Sequence, residues 1–306
     1  MRIDICCIGN RFNMYRNLIA LLYHSLVDAG HDVSVSQNRV ATDAVSLIVP
    51  PMAFRVPALV DELAGRRRRY LVVGVETFDG FSHGRSPDAP DDLEPFQRFF
   101  GEATAVLCLF RQDVEPYRAT TPNPIYLKYG VHPALHEIPD AAERPVDVAF
   151  FGDVARYPAR ARTIERLREG GLTVDVLADA TNAPHELVRN SRIARAKLDL
   201  NLAHAEHASP QRVVYLANNR RCCVSNAVAD PDGYLEAAYP CADEATLIDT
   251  CRSVVGDGSW RIRGEEAYER VRGWEMPQIV AEALEAAFAG GALVADDRPA
   301  GIDQRR

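Results

Sequence analysis

Short apolar runs alternate with segments of helical periodicity twice along this 306-residue chain, and a polar stretch bounded by Pro139 and Pro145 separates the two series. Strands that alternate with helices form parallel sheets covered on both faces. In the first series Ile3 to Ile8 is an apolar run ending at Gly9-Asn10. Leu18, Leu21, Leu22, Leu26 and Ala29 follow at helical spacing, and Gly30 stops the helix. Further strands are expected at 32–36, 44–49, 70–75, 105–110 and 125–129, with helices at 57–64 and 112–119. The segment 77–95, rich in Gly, Pro, Ser and Asp, reads as a loop longer than a plain connector. The second series places strands at 146–151, 172–178, 197–203, 222–228 and 237–242, and helices at 159–169, 184–194, 210–218 and 244–255. A helical run over 264–289, interrupted at Pro277, is expected to pack back across both halves. The architecture expected is α/β, two doubly wound Rossmann-like domains facing a cleft, over 1–138 and 139–290 with a tail at 291–306. The linker near Pro133 to Pro145 offers a hinge.

The bulk numbers exclude several function classes. A formal net charge of -8 argues against broad, charge-driven binding to nucleic acid or an anionic membrane. No apolar run reaches the roughly 18 residues a membrane span needs. Met1-Arg2 leads straight into a strand containing Asp4, which reads as a cytoplasmic start. The 7 cysteines include the adjacent pairs Cys6-Cys7 and Cys222-Cys223 but no C-x-x-C spacing, so buried thiols are expected rather than ligands or disulfides. Neither a G-x-G-x-x-G fingerprint nor a P-loop is present, which removes the best support for a dehydrogenase or an NTPase. Asp230-Pro231-Asp232 matches the D-x-D string of metal-dependent transferases, but it runs into Gly233 and reads as a turn. No metal site is expected.

Several residues carry two readings each. Ser209 before Pro210 is a good N-cap with proline at the first helical position, so the free N–H groups near Gln211 and Arg212 either face an anion or belong to a well-capped helix. Arg212 on the first turn opposes the helix dipole unless an anion compensates it. Gly152 ends a strand and lets a phosphate or ribose approach the backbone, with Asp153, Arg156 and Arg160 beyond it. Arg160 otherwise belongs to a solvated basic run with Arg162, Arg166 and Arg168. His204 and His207 follow Leu200-Asn201, as donor contacts or as structural histidines. In the first half, Gly9, Asn10, Arg11 and Asn13 follow the first strand and face the expected cleft. Glu76, Asp79 and His83 lie after the strand at 70–75, where a general base would serve a reaction that inverts configuration. All seven are otherwise ordinary loop residues.

The order of features from Tyr129 onward resembles the GT-B glycosyltransferases, and within them the CgeB-like branch related to spore-maturation proteins. The features are Gly130-Val131-His132-Pro133, then Asp147-Val148-Ala149-Phe150-Phe151-Gly152, then Arg160, Leu200-Asn201 and Arg212-Val213-Val214-Tyr215. The resemblance covers roughly half the chain. It implies a donor site in the C-terminal half, made by Gly152, Arg160, Asn201, His204, Ser209, Arg212 and Tyr215, with phosphate at the helix headed by Ser209 and Arg212. By their places after strands of the N-terminal half, Gly9, Asn10, Arg11 and Asn13 are the expected acceptor contacts and Glu76, Asp79 and His83 the catalytic candidates. The activity implied is transfer of a sugar from a UDP-, GDP- or dTDP-linked donor to an acceptor; we expect it to be retaining and, with the diphosphate assigned to backbone N–H groups and arginines, metal-independent, with the nucleotide-sugar as co-substrate and no other cofactor. Two departures stand out. Tyr215 occupies a position where the family commonly has Glu, and Asn218-Asn219-Arg220 replaces a Cys-Gly type of turn. A nucleotide-binding pseudo-enzyme of the same fold and a sugar-nucleotide epimerase are the alternatives.

Overall fold

The computed structural model describes residues 1–9, 12–49, 56–64, 70–75, 78, 93–155, 157–177, 186–203, 208 and 210–289. Eleven strands among these residues fall into two sheets. The first, in the order β2-β1-β3-β4-β5-β6, is built from β1 (Arg2–Cys7), β2 (Asp32–Gln37), β3 (Val45–Val49), β4 (Tyr70–Gly74), β5 (Ala105–Cys108) and β6 (Pro124–Tyr126). The second, in the order β11-β10-β9-β7-β8, contains β7 (Val146–Phe151), β8 (Val174–Leu177), β9 (Ala196–Asn201), β10 (Cys223–Asn226) and β11 (Tyr239–Cys241). Every pairing is parallel. Central strands such as β3 and β4 are buried along their whole length, which is why they are continuous apolar runs and do not alternate.

The helices lie between the strands in sequence: α1 (Phe12–Asp28), α2 (Pro57–Ala64), α3 (Leu93–Gly101) and the single turn α4 (Val114–Tyr117) in the first series. In the second come α5 (Pro158–Glu169), α6 (Glu186–Ala194), α7 (Pro210–Asn218) and α8 (Glu244–Asp257), followed by α9 (Trp260–Val271) and α10 (Met276–Phe288). In each sheet the chain starts in the middle and grows outward both ways, from β1 to β2 and β3, and from β7 to β8 and β9. A crevice opens at such a reversal, beyond the carboxyl ends of the two diverging strands.

Three elements differ from expectation. Helix α3 takes the end of the segment expected as loop, because Phe96, Phe99 and Phe100 give it a buried aromatic face against Tyr117. The expected helix at 112–119 shortens to a 3-10 turn at Arg111–Asp113 and the turn α4. The long C-terminal run breaks before Pro277, which lies in the first turn of α10 where its missing N–H costs nothing. The break serves the linker: Val131 N–H donates to Trp274 O at 2.8 Å, and Met276 N–H donates to Val131 O at 3.1 Å. Gly130 allows this crossing, since a Cβ there would stand 2.4 Å from Trp274 O. Beyond the break α10 returns to the first half, packing on α1 and β6, with Asn123 Nδ2 donating to Ala287 O at 3.3 Å.

The linker is pinned. Asn219 Oδ1 accepts from Glu137 N–H at 2.7 Å and Ile138 N–H at 2.8 Å, while its Nδ2 donates to Leu135 O at 2.9 Å. Asn218 Nδ2 donates to His132 O at 3.0 Å. The Asn-Asn turn after α7 therefore fastens residues 132–138 to the second half. Arg220 completes it with a φ of 54°, the left-handed conformation that closes many helices.

Candidate functional site

The site is built around the end of β7. Asp147 anchors that strand at its start, accepting from Thr173 N–H at 2.9 Å, Thr173 Oγ1 at 2.8 Å and Lys197 Nζ at 2.7 Å. The opening residue of the D-V-A-F-F-G stretch is thus structural. At the other end, Phe150 is buried, Phe151 is half-buried and Gly152 meets two close neighbours. A Cβ on Gly152 would lie 2.9 Å from Arg212 Nη2 and 2.9 Å from Phe150 Cζ, so the site needs a residue without a side chain here.

Arg212 reaches this point from the first turn of α7. Its Nη1 donates to Asn201 Oδ1 at 3.0 Å, at the end of β9, and Asn201 Nδ2 donates to Ser225 Oγ at 3.0 Å. The guanidinium lies 5.2 Å from the Phe150 ring centroid and 5.1 Å from that of Phe151. Its Nε is buried and has no hydrogen-bond partner among the described residues. Burial, with the charge of Arg160 beside it, pulls its pKa well below the usual guanidinium range. A guanidinium whose Nε is enclosed and unpaired among the described residues favours a bound anion.

Arg160 shares the crevice. Its neighbours in the basic run turn outward: Arg166 pairs with Glu244, and Arg168 Nη2 donates to Val174 O at 3.3 Å. Arg160 turns in. It is 7% exposed, its Nε donates to Leu202 O at 2.8 Å, its Nη1 donates to Asp153 O at 3.0 Å, and it lies 4.5 Å over the Tyr157 ring. The structure therefore brings Gly152, Arg160, Asn201 and Arg212 together at the ends of β7 and β9, where the strand order reverses.

Tyr215, one turn along α7 from Arg212, lies outside that crevice proper. Its hydroxyl is 3.1 Å from Asn190 Oδ1 and 3.3 Å from Glu137 Oε2, and accepts from Arg189 Nη2 at 3.4 Å. Burial pushes the phenol up to about 12, which keeps it a neutral donor. Tyr215 belongs to a polar cluster whose other members carried no signal in the sequence. Arg16 on α1 pairs with Glu186 on α6 and lies 3.5 Å from Glu137 Oε2, while Arg189 Nη2 donates to Asn17 Oδ1 at 3.1 Å. These residues come from α1, the linker, α6 and α7, and no linear spacing relates them.

The halves also meet on the far side. Arg111 N–H, after β5, donates to Asp232 Oδ2 at 3.3 Å, and Tyr234 OH donates to Leu109 O at 3.1 Å. Asp230 accepts from Tyr234 N–H at 2.9 Å and from Leu235 N–H at 2.5 Å. Both aspartates of the D-x-D string are thus spent on a turn and an inter-half contact. No group of three or more potential metal-ligating side chains is present among the described residues.

In the first half, Gly9 is exposed and tied to β2 by Asn38 Oδ1, which accepts its N–H at 2.6 Å. Asn13 is exposed on the first turn of α1. Asn10, Arg11, Glu76, Asp79, His83, His204, His207 and Ser209 lie outside the described residues, as does Arg156. All 7 cysteines are free and buried. No helix among the described residues is long and apolar enough to cross a membrane.

No protein-family model matches the sequence, and no curated protein matches it significantly. Solved structures do match the fold. HepE of Anabaena, crystallised in complex with UDP and glucose, aligns over 93% of this chain and 99% of its own with a TM-score of 0.62 and 12% identity. TarM aligns with a TM-score of 0.56 and 12% identity over 80% of this chain, which spans 55% of TarM. The lipopolysaccharide outer core galactosyltransferase WaaB aligns over 95% of this chain and 100% of its own, with a TM-score of 0.51 and 10% identity. The two parallel sheets with their interleaved helices are the GT-B fold of two Rossmann-like domains. The structures of this fold include glycosyltransferases such as WaaB, and also the N-terminal domain of the Candida albicans trehalose-6-phosphate phosphatase, which aligns over 95% of this chain with a TM-score of 0.51 and 7% identity.

Proposed function

We propose that the protein is a nucleotide-sugar-dependent glycosyltransferase that holds the donor in its second half and the acceptor in its first. The observation that carries this reading is Arg212, a half-buried guanidinium pressed against Gly152 whose Nε is enclosed and unpaired among the described residues. A diphosphate supplies the missing charge. As the bond to the sugar breaks, negative charge grows on the departing nucleoside diphosphate, and a pre-aimed guanidinium stabilises it without reorganising. HepE, whose fold matches along nearly its whole length, is a UDP complex. That supports a nucleoside diphosphate as the anion.

The reading includes independence from metal, because Asp230 and Asp232 are both engaged by the protein itself. It also includes retention of configuration, which NMR of the product's anomeric linkage reads directly. Glu76, Asp79 and His83 remain the acceptor-side candidates, with Gly9 to Asn13 beside them.

A second reading is a nucleotide-binding protein of the same fold that transfers nothing. It is favoured by Tyr215, whose hydroxyl is bonded within the protein where the resembling family commonly has a carboxylate. The two are separated by incubating the protein with UDP-, GDP- and dTDP-linked sugars and measuring nucleoside diphosphate release, since a competent transferase leaks donor to water. Release above the uncatalysed rate, unaffected by a chelator, supports the transferase. Thermal stabilisation by nucleotides with no release supports the binding protein.

A further inference from the structure

We propose that β2 is the interface of a symmetric dimer, pairing antiparallel with β2 of a second copy of this chain so that the two first sheets run on as one. Each sheet ends in two edge strands, and three of these four edges are blunted. β6 is three residues long, opens with Pro124 and is covered by α10. β11 is also three residues long and has Pro240 at its centre. The outer side of β8 is engaged where Arg168 Nη2 donates to Val174 O at 3.3 Å. β2 has none of these devices. It is six residues long, Asp-Val-Ser-Val-Ser-Gln, with no proline or lysine, and among the described residues it pairs with β1 alone. An edge of this length without such protection is a template for pairing with another chain.

The direction of the backbone groups fixes the register. Asp32 N–H donates to Met1 O at 3.0 Å and Asn38 N–H donates to Cys7 O at 2.9 Å, so the even-numbered residues of β2 face β1. Val33, Val35 and Gln37 therefore turn their N–H and C=O groups outward. In an antiparallel ladder, two such residues placed opposite each other exchange both bonds. A two-fold axis through Val35 matches all three: Val35 meets Val35 of the second copy, and Val33 meets its Gln37. Val35 is 42% exposed, and Val27, on the helix packed on β2, is 43% exposed, so the edge carries apolar surface that a second copy takes from water. The charges agree with the antiparallel sense. Arg39, just past the end of the strand, is exposed and has no ion pair among the described residues. Asp32, at its start, is exposed and holds Arg2 only at 3.7 Å. Reversing the second strand sets each Arg39 beside Asp32 of the other copy.

Sedimentation equilibrium of the full chain tests the interface, and introduced cysteines test its register. The wild type is expected to sediment with twice the chain mass. Val35→Pro removes an N–H that points away from β1, so the monomer keeps its own ladder, and the variant is expected to associate about tenfold more weakly or less still. Arg39→Asp is expected to weaken association too, and Asp32→Arg in the same chain to restore it, because the swap re-forms the pair between copies. Val35→Cys sets two thiols across the axis, where oxidised glutathione is expected to link them into a dimer on a non-reducing gel. Val33→Cys, which meets Gln37, is expected to stay unlinked, as is the wild type, whose own thiols are buried. A wild type that sediments as a monomer at every concentration overturns the proposal. So does a dimer that survives Val35→Pro and shows no link through Val35→Cys, because its interface then lies elsewhere. If circular dichroism shows that Val35→Pro does not fold, the cross-link decides alone.

Discussion

Asn201 presents its Oδ1 to Arg212 Nη1 at 3.0 Å because its own Nδ2 is committed to Ser225 Oγ at 3.0 Å, so the guanidinium is aimed before any ligand arrives. An amide in this position orients the cation without neutralising it. A carboxylate would do both. We expect Asn201→Asp to supply the counter-charge, to hold or raise the melting temperature, and to lower nucleoside diphosphate affinity more than tenfold, an effect of roughly 1.4 kcal/mol or more. Paired melting and titration experiments check this, and an Asn201→Asp protein that binds as tightly as the parent argues against anion binding at Arg212.

Gly152→Ala tests the close approach. The added methyl would press on the buried Phe150 ring and on Arg212 Nη2. Overpacking of this kind costs about 1–3 kcal/mol, and here it displaces the guanidinium that the ligand needs. Folded protein with at least a tenfold loss of nucleotide affinity is the expected outcome of circular dichroism and calorimetry together.

The sequence carried more of the fold than of the site. Every strand and all but one of the longer helices were legible, because the buried central strands are apolar throughout, an edge strand such as β2 still alternates, and the helices carry a periodic apolar stripe. Helix α3 escaped because it follows a Gly- and Pro-rich stretch and three phenylalanines supply its buried face. Gly152 and Arg212 could be singled out by their places at a strand end and on a helix's first turn. The inward turn of Arg160 could not be read from a run of four arginines that look alike. Arg16, Asn17, Glu137, Glu186 and Arg189 form a cluster only once three segments meet, so nothing in the linear order marks them.

Arg221 tests the structural side of the second half. Its Nε donates to Asp199 Oδ2 at 2.9 Å, and its Nη2 donates to Ile193 O at 3.0 Å and Ala196 O at 2.7 Å, with both side chains fully enclosed. Burial pushes the Asp199 carboxyl up, against the pull of Arg221 and Arg144. Arg221→Ala leaves that carboxylate without its main partner and is expected to cost about 3–5 kcal/mol in denaturant unfolding. Loss of less than about 1 kcal/mol would mean that the pair contributes little.

Asp147 gives a pH dependence. Burial raises its pKa, but Lys197 and the two Thr173 donors outweigh that, and the net shift is downward. A carboxyl lowered on folding contributes stability that is present above its unfolded pKa, about 4, and is lost as pH falls through the lower folded value. Asp147→Asn should therefore lower stability at neutral pH and flatten the acid limb of the unfolding curve below about pH 4. Parallel acid limbs in the two proteins would assign that limb to other groups.

The central claim is that Arg212 holds the diphosphate of a nucleotide ligand in the second half. Calorimetric titration of UDP into the wild-type chain and into Arg212→Ala tests it most directly. The account predicts measurable binding by the wild type, independent of added magnesium, and a loss of about 1.5–3 kcal/mol in Arg212→Ala, as for removal of a charge-assisted hydrogen bond. Equal affinities in the two proteins would contradict it.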